Sequence, residues 1–182
     1  MIIGRKIIHY KEIGSTSDEA RRLVGQGEGE GLVVVADKQA RGRGKPGSGW
    51  FSPAGNLYLS VIVKPYKNPA ELAPITLLAA LAARAALIRL SKLPVVIKWP
   101  NDLRIRGKKV GGILTERLPS GFVIIGLGLN INMDKRAWPK EIKGSATSLK
   151  LEAKKKFSLK KCLGTLLEEL DREYLAYLAK VW

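Results

Sequence analysis

The chain lacks the residues that staple small proteins together. Its 182 residues include one cysteine, Cys162, and one histidine, His9. A single thiol makes no internal disulfide, and one cysteine with one histidine cannot furnish a four-ligand zinc site. Stability must therefore come from a packed core, which a chain of this length is able to build as one domain. No apolar run approaches the roughly 20 residues needed to cross a bilayer. The first residues also lack the order of charged, apolar and small side chains that marks a signal peptide. These absences predict one continuous domain over residues 1–182, in a reducing, cytoplasmic setting and with no membrane partner.

Acidic residues are scarce as well, 16 against 32 basic ones, for a formal charge of +16. A surplus of that size attracts anions, whether nucleotides, nucleic acids or acidic proteins, and a lysine-rich solvated surface would give the same count. Aromatics make up only 7% of the chain and do not interleave with basic runs such as Lys154, Lys155 and Lys156. Single-strand binders stack bases on aromatics within basic grooves, so no DNA partner is expected.

What is present reads as helices mixed with adjacent strands, without regular alternation and without repeats. Thr16 as N-cap with Glu19 three residues on resembles a capping box opening a helix over 16–24. The valine-rich run 32–36 reads as a buried strand, and 57–63 as another. Residues 69–90 are rich in alanine and leucine and predict a long helix. A strand at 95–99 is stopped by Pro100, and runs at 108–116 and 122–131 predict a hairpin about the turn Pro119, Ser120, Gly121. Ser158 can cap a last helix whose leucines and Tyr174 share one face. Adjacent strands mixed with helices argue for α+β, with helices packed on one side of a sheet.

Two segments carry chemistry. Gly42, Gly44 and Gly47 have the spacing G-x-G-x-x-G after a strand, yet the following Ser48, Gly49, Trp50, Phe51, Ser52, Pro53 cannot readily start the helix that a dinucleotide turn needs. The phosphate-loop pattern fails too, because Ser48 stands where a lysine is required. What remains is a glycine-rich loop with Arg41, Arg43 and Lys45, whose backbone N–H groups and cations suit a carboxylate or nucleotide. An ordinary mobile basic loop would look the same. The second segment is Lys98, Trp99, Pro100, Asn101, Asp102 at a strand end. There a fixed ammonium can hold a carboxylate and a phosphate together. Asn101 and Asp102 make local turn bonds or help to hold Mg²⁺, an ion that prefers oxygen ligands.

Taken in order, the motifs resemble those of the biotin protein ligase catalytic domain. They are Ser15-Thr16-Ser17, Gln39-Ala40-Arg41-Gly42-Arg43-Gly44-Lys45 with Trp50 beyond, Lys98-Trp99-Pro100-Asn101-Asp102, Lys109-Val110-Gly111-Gly112-Ile113-Leu114-Thr115-Glu116, and Gly126-Leu127-Gly128-Leu129-Asn130-Ile131-Asn132. The resemblance implies the mixed, largely antiparallel sheet shared with class II aminoacyl-tRNA synthetases. It also implies a two-step reaction, in which biotin is activated by Mg-ATP to biotinyl-5′-AMP and then transferred to a lysine of a biotin carboxyl carrier protein.

The same resemblance assigns roles. Ser15, Thr16 and Gln39 would bind the ureido ring, with Ser17, Gly42, Gly44, Gly111 and Gly112 also at the biotin. Arg43 and Lys45 would close over the biotin carboxylate and the phosphate, and Lys98 would bridge the two at the reaction centre. Trp50, Asn101, Lys109, Asn130 and Asn132 would line the ATP side. The chain departs from the family pattern at Ser17, Lys45 and Ser48, where asparagine and two arginines are frequent. Neither a helix-turn-helix domain nor a C-terminal β-domain is expected from the sequence, and a homodimer through a sheet edge is an analogy with relatives. The rival enzyme reading is a lipoate-protein ligase or octanoyltransferase. A nucleic-acid-binding module and a non-catalytic relative of the ligases are the rival readings outside catalysis.

Overall fold

A computed structural model describes residues 1–45, 47–65 and 72–179. Seven strands, β1 (Lys6–Ile13), β2 (Leu32–Gln39), β3 (Leu57–Val63), β4 (Val96–Lys98), β5 (Asp102–Ile105), β6 (Lys108–Arg117) and β7 (Val123–Leu129), form one sheet in the order β1-β2-β3-β7-β6-β5-β4. β1 is parallel to β2, and all other neighbours are antiparallel. The α+β class and the mixed, largely antiparallel sheet agree with expectation.

The helices are α1 (Thr16–Gly25), α2 (Ala73–Ser91), α3 (Leu149–Ala153) and α4 (Leu159–Ala179). Side chains along a strand alternate between faces, and both sets here are apolar. Leu57, Leu59, Val61 and Val63 of β3 and Val123, Ile125, Leu127 and Leu129 of β7 join the core beneath α2 and α4. The intervening Ile62 and Ile124 meet Val34 of β2 with Ala20 and Leu23 of α1 in a second, smaller cluster. The expectation of helices on one side therefore holds for α2 and α4, while α1 covers the opposite face. The reason is visible in β3, where all seven residues are buried, since a strand apolar on both faces has to be covered twice.

Local signals explain most boundaries. Ser15, rather than Thr16, is the N-cap of α1, its Oγ accepting from the Asp18 N–H. Ser158 accepts from the Lys161 N–H at the start of α4, as expected. α2 is long and apolar enough to cross a membrane, contrary to the expectation that no run comes near that length. It is a core helix packed between the sheet and α4. Its expected first residues, 69–71, lie outside the described residues. Gly121 adopts φ +84° in the turn joining β6 to β7, a conformation that favours glycine. β5 has no counterpart in the sequence pattern. It is four residues long and begins directly after the Trp99–Pro100 turn, too short to display a period.

One defect in the apolar pattern positions the site. On the α1 face, β7 presents Ile124 and then Gly126 and Gly128, and Gly112 of β6 is the register partner of Gly128. Where these glycines stand no side chain rises from the sheet, and a trough opens beside the start of α1.

Candidate active site

The trough is the floor of a cavity of about 390 Å³, within the usual range for small-molecule sites. Ser15, Thr16 and Ser17 enter it from the first turn of α1, and Gln39 from the end of β2. Arg43, Gly44, Lys45, Ser48 and Trp50 come from the glycine-rich loop, and Asn101, Asp102, Lys109 and Asn130 from the strand ends opposite. Five separate stretches of sequence thus converge on one space, as their chemistry suggested.

One end is a hydrogen-bonded cluster of hydroxyls. Gln39 Oε1 accepts from the Thr16 N–H at 2.8 Å and from Thr16 Oγ1 at 3.1 Å. Gln39 Nε2 donates to Ser52 Oγ at 3.0 Å, and Ser52 Oγ donates to the Trp50 carbonyl at 2.8 Å. Behind them Ser60 donates to Thr16 Oγ1 at 2.9 Å and lies 3.0 Å from Ser17 Oγ. Ser15, Thr16, Ser17, Ser52 and Ser60 are all buried, so an unmatched hydroxyl here would be costly. The members of the cluster satisfy and order one another.

The rest of the wall carries the cations. The loop is a small hairpin, with Trp50 N–H donating to the Gly42 carbonyl at 2.8 Å and Gly44 N–H to the Ser48 carbonyl at 3.0 Å. Arg43 extends from it to Asp18 of α1 and Glu116 of β6, paired with both. Its partial burial would by itself depress the guanidinium pKa, and the two carboxylates reverse this and raise it above the ordinary value. The residue therefore stays protonated. Lys109 Nζ is 2.7 Å from Asp102 and 5.1 Å above the Trp50 ring. The indole lies on the glycine floor, and its buried Nε1 has no hydrogen-bond partner among the described residues.

Four expected site residues are not on the wall of this cavity. Lys98 is exposed at the end of β4, and its ammonium has no hydrogen bond or ion pair among the described residues. It sits one strand away, as the register partner of the wall residue Asp102. Gly111 faces the core instead. A Cβ there would fall 2.6 Å from Leu129 Cδ2, so the position demands close packing. Gly42 borders a neighbouring open groove, where a Cβ would lie 2.4 Å from both Ser52 Oγ and the Trp50 carbonyl. Asn132 is bound through both side-chain groups to the Phe157 backbone, which fixes the approach to α4. Asn130 is on the wall, yet its amide also donates to the Thr147 carbonyl at 3.0 Å and so pins that strand end.

Other residues on or behind the wall carry no sequence signal of their role. Trp138, Ile142, Ser145 and Ala146 close the cavity from the segment after β7, and the buried Trp138 Nε1 has no partner among the described residues. Nothing local in that stretch marks it. Ser60 and Ser52 are single hydroxyls whose links to Thr16 and Gln39 span more than ten residues of sequence. Asp18 and Glu116 read as helix and strand surface until Arg43 is seen to reach them.

A glycine-floored slot lined by both hydroxyl–amide groups and cations suits a ring bearing hydrogen-bonding atoms and an anionic tail. Comparison with known proteins agrees. The profile of the biotin/lipoate A/B protein ligase family matches residues 15–132. The bifunctional ligase/repressor BirA of Bacillus subtilis is 36% identical over 184 residues, covering 97% of this chain and 56% of that protein. The biotin–[acetyl-CoA-carboxylase] ligase of Mycobacterium tuberculosis is 36% identical over 80% of this chain and 55% of its own length. The chain thus spans a little over half the length of these curated relatives. Among solved structures, the biotin protein ligase of Aquifex aeolicus in complex with biotin and ATP superposes with a TM-score of 0.87 at 34% identity, covering 97% of this chain and 73% of that one. The Leishmania major ligase in complex with biotinyl-5-AMP gives 0.78 at 32% identity, over 91% of this chain and 73% of that one. With this sheet, this cavity and these likenesses in hand, the chain belongs to the biotin/lipoate A/B protein ligase family, among the biotin protein ligases.

Proposed function

We propose that the chain activates biotin with ATP and passes the biotinyl group to a lysine of a biotin carboxyl carrier protein. The observation that carries this reading is one cavity joining an ordered hydroxyl–amide cluster to a cationic loop across a glycine floor. The cluster matches a cyclic urea, which both donates and accepts hydrogen bonds, and a buried matched site of this kind rejects analogues that lack those groups. The glycine floor passes a flat ring and an aliphatic chain.

In the first step a biotin carboxylate oxygen attacks the α-phosphorus of ATP. The bond to the β-phosphate oxygen breaks, and pyrophosphate leaves with its electron pair. Two anions must approach each other, so the work of the protein is to hold them and neutralise charge as it moves. Arg43, the Gly44 backbone and Lys45 face the cavity from the loop for this purpose. Lys98, at the rim, carries its ammonium on a flexible stem that can turn inward once the anions are there. Trp50, Lys109, Asn101 and Asn130 border the nucleotide end. In the second step the acceptor amine attacks the acyl carbon, AMP departs, and the amine loses its proton to water.

Mg²⁺ belongs to the same reading. Among the described residues no group of three or more His, Cys, Asp or Glu side chains is placed to hold a metal. The carboxylate on the cavity wall, Asp102, is already paired with Lys109. The donors present do not make a metal cage, so the ion would have to arrive on the ATP phosphates, as Mg²⁺ commonly does. The positive field of the chain suits an acidic carrier surface, and a homodimer through a sheet edge stays an analogy with relatives.

Incubation with biotin and Mg-ATP should release pyrophosphate and yield a species of biotinyl-AMP mass, and a carrier domain added afterwards should gain one biotinyl group. Lipoate in place of biotin separates the rival activity of the family. Turnover with lipoate and none with biotin would overturn the proposal.

A further inference from the structure

Ser60 sits in the middle of β3, fully buried and behind the cavity wall. It is not among the residues facing the cavity. A buried hydroxyl on a strand otherwise built for packing is costly unless matched, and its two partners here are Thr16 and Ser17. The direction of each hydrogen bond follows by elimination, starting from a backbone donor. The Thr16 N–H can only donate, so the Gln39 atom it meets at 2.8 Å must be the carbonyl oxygen. That oxygen can only accept, so the Thr16 hydroxyl proton at 3.1 Å points to it as well. With its one proton engaged, Thr16 Oγ1 must accept from Ser60, at 2.9 Å. Ser60 then has no proton left, and the 3.0 Å contact with Ser17 requires Ser17 to be the donor.

The consequence is a fixed polarity on the wall. Thr16 and Ser17 present lone pairs to the cavity, because both protons are turned back into the protein. Ser15 differs: its oxygen accepts from the Asp18 N–H, and no acceptor among the described residues takes its proton. The wall therefore offers one hydroxyl donor beside two hydroxyl acceptors. That is the complement of a cyclic urea, with one carbonyl and two N–H groups.

We infer that Ser60 is a positioning residue for substrate specificity, which touches no substrate but, by taking the Ser17 proton, makes Ser17 an acceptor toward the ring, as Gln39 does for Thr16. This rests on the biotin reading above. Without Ser60 the Ser17 proton loses its buried acceptor and is free to turn into the cavity, where it meets a ring N–H instead of accepting from it.

The test compares biotin with a cyclic carbamate analogue, in which a ring oxygen replaces one N–H and so prefers a donor. Binding of both is measured by calorimetry to the wild-type chain and to Ser60→Ala. Wild type should bind biotin and discriminate strongly against the carbamate. Ser60→Ala should bind biotin about tenfold more weakly, the scale of one mismatched hydrogen bond. The carbamate should be unaffected or bind more tightly, so the biotin-to-carbamate ratio falls by tenfold or more. ATP affinity should not move. A general loosening of the fold would weaken both ligands alike, so an unchanged ratio overturns the assignment. If the wild-type chain binds no biotin, the failure lies with the proposed function and not with Ser60.

Discussion

Trp50 lies directly on Gly128: a Cβ built on that glycine would fall 2.4 Å from the indole Nε1, and one on Gly112 2.9 Å from the same ring. The two glycines are register partners, so the indole covers the floor of the cavity across both strands. Gly128→Ala should push the ring off the floor toward water. Trp50 emission, read as the difference from the same substitution in a Trp50→Phe background, should move to longer wavelength. An unshifted spectrum would show that the ring does not rest there.

Arg43 is tied to Asp18 and Glu116. These carboxylates hold the loop over the site, and a substrate carboxylate has to compete with them for the guanidinium. The pairs are partly exposed, and such pairs contribute on the order of 1 kcal/mol or less to global stability. The double variant Asp18→Asn, Glu116→Gln should therefore keep its unfolding midpoint within a few degrees. Trypsin should cleave it faster after Arg43, which a glycine follows, whereas the bond after Lys45 leads into Pro46 and resists the protease. Equal cleavage rates in the two proteins would remove the tether.

Lys98 and Asp102 are register partners, one exposed and the other on the cavity wall. If the Lys98 ammonium turns in to bridge carboxylate and α-phosphate, Lys98→Ala should slow pyrophosphate release by on the order of 10². Biotin binding in the absence of ATP should change far less. A rate within a few-fold of wild type would confine Lys98 to the surface.

Cys162 is buried on the core side of α4, and burial pushes its thiol from an ordinary value of 9.0 up to about 11, with Lys161 opposing. In the folded chain at pH 8 it should resist alkylation, since the thiolate is the reactive form. The linkage has a definite sign. Between pH 9 and 11 the unfolded thiol has lost its proton while the folded one keeps it, so the contribution to stability is complete below 9 and declines toward 11. Unfolding titrations of wild type minus Cys162→Ala should show that decline. A flat difference would contradict the burial argument.

Much of the fold is legible in the sequence because the local signals agree with the tertiary result. The apolar runs at 32–36 and 57–63, the Ser158 cap and the turn at Gly121 all appear where the pattern puts them. What is not legible has a physical reason. β5 is too short to show a period. The placement of α1 on the far face depends on strands apolar on both sides, and the pattern of a strand does not say which helix takes which face. Within the site, the motif glycines are legible as glycines but their jobs are not. Gly112 and Gly128 make room for Trp50, while Gly111, next in sequence to Gly112, makes room for Leu129.

The sequence alone determined which chemistry is available: hydroxyls and an amide in one set of motifs, arginine and lysine on glycine-rich backbone in another. These are covalent facts, independent of packing. Only the tertiary structure decided how they are used. It buried Ser60 behind Thr16 and Ser17, tied Arg43 to Asp18 and Glu116, and left Lys98 at the rim. The hydrogen-bonded and ion-paired partners lie more than fifteen residues apart, and proximity between such residues is created by the sheet register and the cover of the helices, not by any local preference of the chain.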